Sequence, residues 1–128
     1  MIALALLLAL QDPEAAFREG RYAEAVALAE KALEARKTAE MLGLLGAARL
    51  KSGDAPGAVR ALEEAVAMDG ATSDLHRWLG RARLEAGRHD DAIASFEAAG
   101  DVLGVAQVHV AREDWGSEIG RASCRERV

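Results

Sequence analysis

The residues able to do chemistry in this sequence are few, and their spacing argues against a catalytic centre. His76, His89 and His109 stand far apart, with no carboxylate or cysteine at the spacing metal ligands need. They read as surface or groove histidines, and neither a metal nor any other cofactor is expected. Asp90-Asp91 is a carboxylate pair, the raw material of acid–base or metal chemistry. It opens a helical segment, however, where negative charge suits the N-terminal end of the macrodipole, and that role accounts for it. Ser52, Ser73, Ser95 and Ser117 have no His–Asp partner in reach of the sequence pattern. The glycines are spread along the chain instead of clustering into a phosphate loop. No catalytic residue is therefore expected. What remains is recognition chemistry: Arg77, Trp78 and Arg81 share one side of a helical segment, an indole beside two guanidiniums.

The elements that position these residues follow from composition. Ala, Leu, Glu and Arg dominate the 128 residues, aromatics make up 4%, and Asn is absent. Such side chains lose little rotamer freedom in a helix, and the β-branched and aromatic runs of a sheet are missing. The length suits one domain with a modest core. A formal net charge of −5 argues against nucleic acid as a partner. Cys124 stands alone, so no internal disulfide forms.

The helices repeat. Aligning 39–65 on 73–99 without gaps gives nine identities, among them Leu45/Leu79, Gly46/Gly80, Arg49/Arg83, Gly53/Gly87 and Ala58/Ala92. Chance at this alanine-rich composition gives roughly two or three, so the 34-residue period is real. An earlier copy places Gly20, Ala25 and Ala32 against Gly53, Ala58 and Ala65. Gly20, Gly53 and Gly87 fall where one helix ends and the chain turns sharply. Ala25, Ala58 and Ala92 fall on the next helix, where two helices approach closely and a larger side chain would part them.

A helix–turn–helix of this period, with Leu-Gly in the first helix, Gly at the turn and Ala, an apolar residue and Ala in the second, resembles the tetratricopeptide repeat. The matching residues are Leu45-Gly46, Gly53, Ala58, Leu62 and Ala65, then Leu79-Gly80, Gly87, Ala92, Phe96 and Ala99. The large aromatics of the family are mostly replaced, with Arg49 and Arg83 in the row where Tyr is usual. The resemblance implies an all-α fold, helix-turn-helix repeats stacked as a right-handed superhelical solenoid over residues 12–115. About three repeats and a partial fourth are expected, with helices near 13–19, 22–35, 39–52, 55–68, 73–86, 89–99 and 101–113. Asp54, Thr72 or Ser73, and Asp101 are the expected N-caps, and Gly70 a helix stop.

The same resemblance implies a protein–protein interaction scaffold, holding a peptide or helical segment of a protein partner in a concave groove lined by the first helix of each repeat. The alternative is an accessory region of a larger enzyme or export machine. In the Leu79-Gly80 register Arg77, Trp78 and Arg81 face the concave side. The matching row of the second repeat holds Gly43, Leu44 and Ala47, a shallow apolar floor. Arg77, Trp78, Arg81, Leu44 and Ala47 are thus the expected partner-binding residues. An aromatic anchor between two guanidiniums suits a segment with a large apolar side chain and nearby carboxylates. A plainer account stays open, in which Asp74, Arg77, Arg81 and Glu85 form an ion-pair ladder and Trp78 packs on the next repeat. Family members that grip the acidic tails of heat-shock chaperones use a clamp of Lys, Arg and Asn. With no Asn, and with Asp74 and Trp78 in the groove rows, that specificity is disfavoured here.

Both ends stand apart. Residues 1–11 hold nine apolar residues after Met1, too few to span a bilayer. They are either a minimal export signal or an apolar helix packed on the first repeat. No basic residue precedes the run, and Gln11 makes a poor cleavage site. Asp12-Pro13 starts a new helix, which favours export, and an exported or periplasmic location over a cytoplasmic one. Residues 116–128 contain "EIGRASCRERV", which breaks the periodicity and resembles a translated sequencing adapter. The segment before it looks like the first half of a fourth repeat, so the array is expected to be a fragment. Val102, Val105, Val108 and Val110 on that uncovered helix then predict self-association.

Overall fold

The computed structural model describes residues 12–68 and 71–113. The apolar run 1–11, the expected stop at Gly70 and the segment from residue 114 onward, adapter-like tail included, lie outside the described residues. Seven helices and no strand occur among the described residues: α1 Pro13–Arg18, α2 Tyr22–Ala35, α3 Ala39–Lys51, α4 Ala55–Ala67, α5 Ser73–Glu85, α6 His89–Ala99, and α7 over 102–113. Each boundary falls within a residue of the expected one at its start.

Local chemistry sets these starts. The side chains of Asp12, Thr38, Asp54, Thr72 and Asp101 accept hydrogen bonds from Glu14, Met41, Gly57, Leu75 and Gly104 backbone N–H groups at 3.0–3.4 Å. These satisfy donors that the first turn of a helix leaves open. Thr72 is the cap of α5, and Ser73 is its first residue. Helices α2 and α6 begin without a side-chain cap. There Arg21 and Arg88 instead pair with Glu24 and Asp91 of the first turn.

The hairpin turns are copies of one another. Gly20, Gly53 and Gly87 all adopt positive φ, between 80° and 92°, with open space where a side chain would stand. In each, the residue after the glycine donates its N–H five residues back, from Arg21 to Ala16, Asp54 to Arg49 and Arg88 to Arg83. This closing bond completes the helix end. Gly100 (φ 70°) makes the same turn between α6 and α7, with Asp101 donating to Phe96. The connection from α6 to α7 is therefore as tight as the turns within the hairpins.

The core is built from small residues meeting larger ones. Ala25, Ala58, Ala92, Leu62 and Phe96 are wholly buried, and Leu45 and Leu79 nearly so. A side chain on Gly46 would run into Leu62, and one on Gly80 would run into Phe96 one period later. Arg49 and Arg83, in the row expected to hold Tyr, repeat one bridge. Arg49 donates to Glu30 of the preceding α2 (2.9 Å) and to the Gly57 carbonyl of α4 (3.3 Å). Arg83 donates to Glu63 of α4 (3.2 Å) and to the Asp91 carbonyl of α6 (3.3 Å). A guanidinium has enough donors in one plane to tie three helices together, which a phenol does not.

The curvature follows from which helices touch. Successive first helices are in contact, α1 with α3 and α3 with α5, while α2, α4 and α6 make no such contact with one another. Gly43 lets α5 in, since a side chain there would collide with Leu75. The layer that closes up is the concave one, and the splayed layer leaves an outer gap lined by Glu30, Leu33, Arg60 and Glu64.

Candidate partner-binding groove

The concave face is assembled by α1, α3 and α5. Between them runs a cleft of about 560 Å³ whose apolar floor is Phe17, Leu44, Ala47, Leu75 and Trp78. Phe17 and Trp78 meet edge to face, with centroids 6.1 Å apart and planes at 80°. Tyr22 holds the other side of Phe17 at 5.5 Å. Such edge-to-face pairs match the positive ring edge to the negative face. Trp78 is half-buried in consequence, and one of its ring faces carries the Arg81 guanidinium at 5.4 Å.

Of the five expected residues, the structure brings Leu44, Ala47 and Trp78 into this cleft. Arg81 lies beyond the indole and lines a smaller cleft of about 270 Å³ with Leu50, Lys51, Leu84, Glu85 and Gln107. Arg77 joins neither. Its guanidinium is drawn to Asp74 (2.8 Å) and to Asp101 at the start of α7 (3.2 Å). The ladder account is half realised: Asp74–Arg77 forms, whereas Arg81 stacks on Trp78 instead of pairing with Glu85 among the described residues. Nor does Trp78 only face onward along the array. Its edge-to-face partner lies on the first helix, because the first helices converge on the inner face.

The sequence reading missed Phe17, Leu75 and the charged rim. Glu14, Glu40 and Asp74 line the cleft, against Arg18. Phe17 carried a signal, being one of two phenylalanines and one period before Leu50 in the turn register, but its reach to Trp78 depends on curvature. Ser95 is buried, accepting from Arg83 (2.6 Å) and donating to the Asp91 carbonyl. His76, His89 and His109 sit on α5, α6 and α7, and no group of three potential metal ligands occurs among the described residues. Arg21 has its guanidinium pKa raised by hydrogen bonds to Glu19 and then Glu24, a surface arrangement at the first turn.

Residues 44–101 match the family model described as tetratricopeptide repeat. This part of the chain is built of tetratricopeptide repeats. The match spans most of α3 through α6, the two hairpins in which Gly46/Leu62 and Gly80/Phe96 repeat. No match is found among the curated proteins. Tetratricopeptide repeats generally mediate protein–protein interaction, and the family is typically non-catalytic. No described helix is long and apolar enough to cross a membrane.

Proposed function

We propose that this protein is an interaction scaffold that seats a short peptide or helical segment of a partner protein in the α1–α3–α5 cleft. The observation that carries this is the convergence of Phe17, Leu44 and Trp78, one from each of three first helices, on one concave apolar floor. Apolar and aromatic side chains gathered in a concavity are where binding free energy concentrates. Photo-crosslinking tests it, with the crosslinking residue introduced in place of Leu44 or, on the outer face, of Glu34. A partner captured from position 44 and not from 34 is the expected result, and the reverse pattern overturns the reading.

We also propose that α7 drives self-association with a second copy. Val105 and Val108 do not contribute, because both pack on α6 around Phe96. The apolar surface left over is Val102, Leu103 and Val110, at 79%, 78% and 56% exposure.

A further inference from the structure

We infer that the segment taken by the α1–α3–α5 cleft is cationic and apolar, with one large apolar side chain on the floor and lysine or arginine beside it. This rests on the reading of that cleft as the binding surface. Sequence reasoning pointed to carboxylates on the partner, because Arg77 and Arg81 flank Trp78. The structure removes both arginines from the cleft. Arg77 is shared between Asp74 and Asp101, and Arg81 lies across the indole in the smaller cleft. What rims the cleft is three carboxylates, Glu14, Glu40 and Asp74, against the single cation of Arg18.

These carboxylates are available. Glu14 and Glu40 are exposed and have no ion-pair partner among the described residues, and the Asp74 side chain is 79% exposed despite its contact with Arg77. They come from α1, α3 and α5, so they surround the floor instead of lying along one helix. An acidic segment would set like charges together as it displaced water, whereas a basic one is steered in by the rim and by the net charge of −5.

A random peptide library displayed on phage, selected against the full chain, tests this. The expected binders share Lys or Arg next to Leu, Ile, Phe or Trp and are lost with Trp78→Ala. Their affinity should fall about tenfold in the double variant Glu14→Gln, Glu40→Gln, and similarly when salt rises from about 0.05 to about 0.5 M. Circular dichroism checks that each variant is folded. Trp78-dependent binders that are acidic, or that ignore the double variant, overturn the cationic assignment and leave the groove reading standing. A library yielding no binder sensitive to Trp78→Ala or Leu44→Glu overturns both. Binding that appears only after deletion of residues 1–11 assigns the cleft to the chain's own apolar run, and the inference fails.

Discussion

Gly80 lies directly against the ring of Phe96: a Cβ built on the glycine would stand 2.8 Å from two of its carbons. Gly104 of α7 comes against the same ring. Phe96 is wholly buried. Gly80→Ala gains about 1 kcal/mol of helix propensity but loses about 1–3 kcal/mol to overpacking, since a wholly buried ring has little room to retreat. The expected net result is a lower denaturant midpoint. In a Phe96→Ala background the loss should vanish and the same substitution become stabilising.

The alanines at the hairpin crossings obey the same steric rule. Ala58 and Ala92 have no exposed surface. Replacing either by Leu should cost on the order of 1–3 kcal/mol in urea denaturation. Unchanged midpoints for both would contradict the packing described for α4 and α6.

Arg83 is the better-buried copy of the repeated bridge, its side chain 19% exposed against 26% for Arg49. Arg83→Met keeps the packed stem and removes hydrogen bonds to Glu63, Ser95 and the Asp91 carbonyl, costing about 1–3 kcal/mol. The low end is favoured because the buried Arg83 Nε has no partner among the described residues, so the variant also removes an unsatisfied donor. Arg83→Lys should not restore stability, since an ammonium cannot reach three directions from one plane. Equal midpoints for Arg83→Lys and the parent chain would show that the planar fork is not needed.

Trp78 belongs to the cleft more than to the core. Trp78→Ala loses the contacts with Phe17 and Arg81 but opens onto solvent, so its stability cost should be about 1–2 kcal/mol. Phe96→Ala, in a closed site, should cost about 3–5 kcal/mol. Thermal melts of the two variants give the comparison. A Trp78→Ala chain that melts as early as Phe96→Ala would place the indole in the core.

Self-association through α7 should respond to charge. Sedimentation velocity of the parent chain should show concentration-dependent association, and Leu103→Lys should shift it toward monomer without altering the melting temperature. An unchanged association state in that variant would remove α7 from the contact.

The repeat, the helix boundaries, the caps at Asp54 and Asp101 and the turn glycines were legible in the sequence, because each depends on residues a few positions apart. Steric demands at Gly53 or Ala58 recur with the period and so leave a pattern that can be aligned. The cap at Thr38 was missed although its signal is equally local. What only tertiary structure decided was where side chains go when distant neighbours compete for them. Arg77 had two carboxylates to choose from, and Asp101, which caps α7, drew it out of the groove. Arg81 had Glu85 one turn away and settled on the indole instead. Phe17 and Trp78, two hairpins apart, meet because the first helices close up while the second helices splay. That curvature sums small rotations between hairpins, and no single stretch of sequence records it. Spacing could therefore place Leu44, Ala47 and Trp78 on one face, but the sign of the charge around them came from the fold.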